Sequence, residues 1–109
     1  MESQLDRQFA ALADPIRRAI LARLAQGAAT VGELARPFGI SQPAISRHLK
    51  VLEAAGLIEA ARAAQARPRR LKVEALTEAR AWIDGLATYW SDRFDRLDAL
   101  LGEQEGPPA

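Results

Sequence analysis

The sequence predicts a mainly α domain built around a helix-turn-helix. Three observations predict it: an apolar content dominated by helix formers, helix-capping signals that recur along the chain, and a short helix joined to the next through a tight turn at Gly39. The 109 residues include 23 alanines and 14 leucines but only 3 valines and 6 isoleucines, and Ala and Leu lose little side-chain entropy in a helix. The length suits one domain with a single modest core. That domain is expected to span residues 1–103, with 104–109 as a flexible tail through Gly106-Pro107-Pro108.

The elements follow in order. Leu5, Phe9 and Leu12 fall at helical spacing, and Asp14-Pro15 then supplies an N-cap followed by proline at the first helical position. Ile16, Ile20 and Leu24 keep an apolar stripe until Gln26-Gly27 ends that second helix. Thr30-Val31-Gly32-Glu33 has the spacing of a capping box, opening a short third helix that carries Val31, Leu34, Ala35 and Phe38 and stops at Gly39. Ser41 caps a fourth helix running to about Ala55-Gly56. The stretch from Leu57 to Val73 is ambiguous by propensity: its alanines favour helix, whereas Arg69-Arg70-Leu71-Lys72-Val73 alternates charged and apolar residues like a strand. A final helix is expected from about Thr77 to Leu101, with Ala79, Ile83, Leu86, Trp90, Phe94, Leu97 and Leu101 on one stripe. Trp82, Tyr89 and Leu100 widen that stripe to roughly 160°. Such breadth suits a helix that serves both its own core and a partner subunit, although a core helix of a monomer is the other reading.

Composition removes several function classes. Apolar types make up 49% and charged types 27% of the chain, the balance of an ordinary folded domain. With no cysteine and a single histidine, His48, there is no disulfide framework, no thiolate cluster, and no site built from several imidazoles. No nucleophile–base pair or phosphate-cradling glycine loop stands out, so no catalytic residues, metal ligands or cofactors are expected and the chain does not read as an enzyme. The amino end lacks a basic start followed by an apolar run, and no stretch of about 18 uncharged apolar residues occurs. A cytoplasmic location without membrane contact is expected.

The formal net charge of +1 hides a segregation. Between Arg36 and Lys72 eight basic residues face two acidic ones, whereas from Glu74 onward three basic residues face eight acidic ones. One segment favours polyanions and the other disfavours them, although a basic surface without a partner would give the same count.

The fourth helix carries the chemistry. Ile45, Leu49 and Leu52 share one face and anchor it, while Pro43, Arg47, Lys50 and Ala54 point the opposite way with Ser46 at the flank. Gln42 sits in the first turn, where a recognition helix meets base edges. Arg47 has the fork that grips guanine, Gln42 the amide that pairs with adenine, and Lys50 or Ser46 can bond phosphate or base. The one acidic residue on this helix, Glu53, lies near its far end. His48 falls at the edge of the buried face, suited to a phosphate contact or to packing.

The strings Leu12-Ala13-Asp14-Pro15-Ile16-Arg17-Arg18-Ala19-Ile20-Leu21, Gly39-Ile40-Ser41-Gln42-Pro43-Ala44-Ile45-Ser46-Arg47-His48-Leu49-Lys50-Val51-Leu52 and Ala55-Gly56-Leu57-Ile58 resemble the ArsR-type (arsenic-repressor-like) winged-helix repressors. The resemblance covers nearly the whole chain. It implies a dimeric winged helix-turn-helix with four helices, a β-hairpin wing from about Ile58 to Val73, and a fifth helix. It also implies a homodimer joined mainly through the first and last helices, through Leu5, Phe9, Trp82, Leu86, Tyr89, Trp90, Phe94 and Leu97. Double-stranded DNA would meet Ser41, Gln42, Pro43, Ser46, Arg47, His48 and Lys50 on the recognition helix and Arg67, Arg69 and Arg70 on the wing.

Two departures from the family pattern stand out. Arg62 to Pro68 contains no glycine, so the wing tip is expected to be longer or irregular. The cysteines, or the aspartate and histidines, that hold metal in the metal-sensing members are also absent. Asp84, Asp92, Asp95 and Asp98 lack imidazole or thiol partners and fall on the polar side of the last helix. A regulator that does not sense transition metals through those sites is therefore expected. A winged-helix module that binds another protein instead of DNA is the alternative.

Overall fold

A computed structural model describes residues 3–61 and 66–105. The chain divides after Ala79 into two units, the first holding four helices and a hairpin and the second most of a long final helix.

Local capping chemistry sets the helix starts. Helix α1 (Gln4–Leu12) opens with a capping box in which Ser3 Oγ accepts from the Asp6 amide at 3.1 Å and Asp6 accepts from the Ser3 amide at 3.0 Å. Helix α2 (Pro15–Leu24) is capped by Asp14, whose Oδ1 accepts from the amides of Ile16 and Arg17. Thr30 and Glu33 form the reciprocal pair that opens α3 (Val31–Phe38). Gly39 follows with φ of 63°, a left-handed conformation that glycine adopts without steric cost and that turns the chain sharply. Ser41 Oγ then accepts from the Ala44 amide at 3.2 Å to start α4 (Gln42–Ala54). Replacing Thr30 with alanine is expected to cost about 1 kcal/mol of stability, read as a lower urea midpoint at unchanged slope.

The expected wing is present as a two-stranded antiparallel hairpin. Strands β1 (Ile58–Ala60) and β2 (Arg69–Leu71) pair with Ile58 opposite Leu71, Glu59 opposite Arg70 and Ala60 opposite Arg69. Arg69 also exchanges both backbone hydrogen bonds with Ala29, at 2.8 and 3.0 Å, so the segment before α3 adds a one-residue bridge to the hairpin's edge. A 3₁₀ turn at Val73–Leu76, which the sequence did not suggest, leads into α5 (Thr77–Glu105). The final helix runs past the expected Leu101. Gly102 costs a helix only about 1 kcal/mol relative to alanine, and the following Glu-Gln-Glu favours continuation. Of the expected tail, residues 104 and 105 are helical and 106–109 lie outside the described residues, as do residues 62–65 of the expected wing tip.

Ile20, Leu34, Ile45, Leu49, Leu52 and Leu57 are the largest fully buried side chains, and they hold α2, α3, α4 and the start of β1 around one core. Gln8 is buried among these apolar groups, and its Nε2 donates to the carbonyls of Ala55 at 3.3 Å and Ala75 at 3.0 Å. It thereby ties α1 to the end of α4 and to the 3₁₀ turn.

Hydrogen bonds from backbone amides hold three capping carboxylates below the usual carboxylate range. The donors are the Ser3 amide and hydroxyl at Asp6, the Arg17 and then Ile16 amides at Asp14, and the Thr30 amide and hydroxyl at Glu33. A carboxylate with a folded pKa below its unfolded value contributes stability that is complete above the unfolded pKa, about 4, and is lost as pH falls through the folded one. Urea midpoints are therefore expected to hold at neutral pH and fall below about pH 4. Asp14→Asn, which keeps the cap but does not titrate, should flatten that decline.

Candidate nucleic-acid interface

Helix α4 separates its residues by face as the pattern requires. Ile45, Leu49 and Leu52 turn into the core, while Ser41, Gln42, Pro43, Arg47 and Lys50 are exposed and Ser46 and His48 are half-buried. Among the described residues neither Arg47 nor Lys50 enters an ion pair. Both cations are available to an external anion.

Glu53, the one carboxylate on this helix, is already engaged. Its Oε1 accepts from Arg69 Nε at 2.9 Å, with the arginine side chain 18% exposed. Arg69 Nη1 also donates to the Arg67 carbonyl at 2.6 Å, so this guanidinium fastens the wing to α4 and pairs with the helix's one carboxylate. The sequence suggested Arg69 as a cation reaching for DNA, but a pairing 16 residues apart leaves no local signature from which this engagement could be read.

The other wing cations differ from Arg69. Arg70 forms an ion pair with Glu59 directly opposite it on β1, yet its side chain remains 65% exposed; an exposed pair of this kind contributes only about 0–1 kcal/mol and can be exchanged for a phosphate. Arg67 is exposed and takes φ of 45°, the left-handed conformation that glycine usually supplies in a hairpin and that this wing has no glycine to provide.

His48 meets a partner that the sequence did not indicate. Its Nδ1 lies 3.4 Å from Arg17 Nη1, while Arg17 Nε donates to the Ala11 carbonyl at 2.8 Å and Nη2 to the Ala10 carbonyl at 3.2 Å. Asp14 Oδ2 stands 3.9 Å from the same Nη1. Arg17 thus joins the last turn of α1, the cap of α2 and the edge of α4.

On α1, Leu5 and Phe9 are half-buried. On α5, Trp82, Leu86, Tyr89, Trp90, Phe94 and Leu97 are 43–58% exposed. Tyr89 and Trp90 meet edge-on with centroids 6.2 Å apart, Trp90 and Phe94 lie 5.9 Å apart, and the Arg93 guanidinium sits 4.5 Å from the Tyr89 ring centre. A stable soluble monomer seldom leaves so large an aromatic face in water. Among the described residues no group of three His, Cys, Asp or Glu side chains is placed to hold a metal ion, and no helix is long and apolar enough to cross a membrane.

Residues 12–60 match a family described as a helix-turn-helix domain. Over 53 residues, 49% of this chain and 50% of the relative, the sequence is 58% identical to the HTH-type transcriptional regulator Rv2034 of Mycobacterium tuberculosis. The chain spans about half the length of the curated relatives it matches. A crystal structure of the ArsR family transcriptional regulator RHA00566 superposes with a TM-score of 0.71 at 40% identity, covering 82% of this chain and 98% of that one. The solution structure of a homodimeric winged helix-turn-helix DNA-binding domain from Mycobacterium bovis, a possible ArsR-family regulator, superposes with a TM-score of 0.63 at 32% identity, covering 78% and 79% of the two chains.

Proposed function

The chain belongs to the ArsR family of transcriptional regulators, and from that premise we propose that it is a sequence-specific DNA-binding regulator, a homodimer that sets one α4 per subunit into the major groove. The observation that carries this reading is the outward face of α4: Arg47 and Lys50 stand exposed and unpaired while Glu53 is neutralised by Arg69. Gln42 and Arg47 read base edges, Ser41, Ser46 and Lys50 bond phosphate or base, and Pro43 packs against the groove wall. Arg67 and Arg70 hold the DNA backbone from the wing. Arg69 contributes mainly by holding Glu53. A dimer seated over a promoter blocks polymerase, which makes repression the direct outcome of binding. No catalytic step is assigned to the chain, and its place of action is the cytoplasm, where the DNA is.

The dimer explains the aromatic face of α5, which a second copy would cover, and the homodimeric Mycobacterium bovis relative supports that occupant. Leu5 and Phe9 on α1 complete the proposed set of interface residues.

The direct experiment is titration of a fluorescent duplex from just upstream of the chain's own coding region at several salt concentrations. Each phosphate neutralised by a cation contributes about −0.9 to the slope of log affinity against log salt, so a steep decline is expected and a flat response would refute the reading. A stable monomer indifferent to promoter DNA would instead favour a protein-docking role for α5.

Arg69→Ala releases Glu53 as an unpaired carboxylate beside the groove. Affinity for specific and random duplexes should fall by a similar factor, about three- to tenfold, the cost of one charged pair lost at a partly exposed site. A loss confined to the specific duplex would make Arg69 a base reader.

A further inference from the structure

Guanidinium chemistry fixes the direction of one hydrogen bond at the edge of α4. An arginine side chain offers only N–H donors and stays charged throughout the pH range of a folded protein. Arg17 Nη1 lies 3.4 Å from His48 Nδ1, and a hydrogen bond between them has the guanidinium as donor and Nδ1 as acceptor. A neutral ring whose Nδ1 is bare has its proton on Nε2. The only buried side-chain polar atom without a partner among the described residues is Gln8 Oε1, and His48 is half-buried. His48 Nε2 is not among the buried atoms without a partner, and the half-buried ring lies on the same helix that presents Arg47 and Lys50.

Arg17 is itself held in place. Two of its other donors grip the carbonyls of Ala11 and Ala10, the Asp14 carboxylate stands beside it, and its side chain is 18% exposed. Turning away from His48 would break contacts with both α1 and the α2 cap.

Resting on the DNA-binding reading, we propose that Arg17 is a positioning residue for DNA recognition: it holds the single imidazole of the chain as the Nε2–H tautomer and so makes neutral His48 a hydrogen-bond donor to a backbone phosphate at the rim of α4. Arg17 acts through His48 and does not touch the duplex. A neutral donor strengthens binding but neutralises no phosphate, so its loss lowers affinity without altering the salt slope. Arg47 and Lys50 differ in this respect, because removing a cation that pairs with phosphate makes the slope shallower.

The chain has one histidine, so nitrogen-15 NMR of the imidazole ring in the free full-length chain reads the tautomer without ambiguity, at about pH 8 where an ordinary imidazole is neutral. In the wild type Nδ1 is expected to resonate as a bare nitrogen and Nε2 as a protonated one, and Arg17→Met should draw the two toward their averaged positions. In duplex titrations His48→Ala should weaken binding by about three- to tenfold, the value of one hydrogen bond, with the salt slope unchanged. His48→Gln, which keeps a donor near the Nε2 position, should recover most of that loss. Arg17→Met should lose as much as His48→Ala, and the double variant no more than either. His48→Ala preserves every bond from Arg17 to α1, so it decides the phosphate role even should Arg17→Met fail to fold. A protonated Nδ1 in the wild type, additive losses, or a shallower slope for His48→Ala would overturn the proposal. A wild type that binds no duplex overturns the DNA-binding reading, and the phosphate role with it, while the spectrum still decides the tautomer.

Discussion

Replacing Trp90 and Phe94 together with glutamate is expected to convert the proposed dimer to a monomer and to weaken binding to a two-half-site duplex by about 100- to 10,000-fold, the range that linking two binding events supplies. The two rings lie 5.9 Å apart near the middle of the α5 face, and each is at least half exposed in the single chain. A second copy placed over them would bury both, and a pair of carboxylates there would have to be desolvated without partners. Since neither ring belongs to the core of the first unit, circular dichroism should show an unchanged helical fold. Sedimentation velocity reads the assembly state and fluorescence anisotropy the affinity. A double variant that remains dimeric would remove α5 from the interface; a monomer with wild-type affinity would show that each chain binds DNA alone.

The second large effect falls on α4 itself. Arg47→Ala combined with Lys50→Ala should lower affinity for a specific duplex by about 10- to 1,000-fold, combining a bidentate base contact worth about 1–3 kcal/mol with the loss of a phosphate contact. Preference over random sequence should shrink through Arg47, whereas the salt slope should become shallower by about 0.9 for each phosphate contact removed per subunit. Both side chains are exposed and apart from the core, so unfolding is not an alternative explanation for a loss. The same factor on specific and random DNA would mean that Arg47 grips the backbone and that the bases are read elsewhere.

Much of the helical architecture was legible because capping chemistry is written within four residues. Asp14-Pro15, Thr30 with Glu33, and Gly39 followed by Ser41 each lie where a helix starts or stops, and each carries the hydrogen bonds or backbone conformation that its residue type implies. The outward cations of α4 were equally legible, since a period of about 3.6 residues separates them from Ile45, Leu49 and Leu52. The wing was not: β1 contains an alanine and only three residues, and its strand conformation depends on β2 and, through Arg69, on Ala29. Family resemblance located it where propensity could not.

The polar contacts that organise the site were hidden for a related reason. Arg69 finds Glu53 across 16 residues, Arg17 finds His48 across 31, and Gln8 reaches Ala55 across 47. None of these pairs has a spacing signature, because the fold alone brings them together. Counting charges locates the basic segment but does not distinguish Arg69, engaged by a carboxylate, from Arg47, open to solvent. Helix α5 outruns its apolar stripe: Gly102 lies between stretches of good helix formers, and the helix continues through it to Glu105.

The proposed dimer presents its two α4 helices to successive major grooves on one face of a duplex. This arrangement is tested most directly by inserting about five base pairs, half a helical turn, between the half-sites of a duplex the chain binds tightly. Two linked recognition helices should then be unable to engage together, and affinity should collapse to that of a single half-site. Affinity that persists after the half-turn insertion would rule out paired engagement of the two α4 helices.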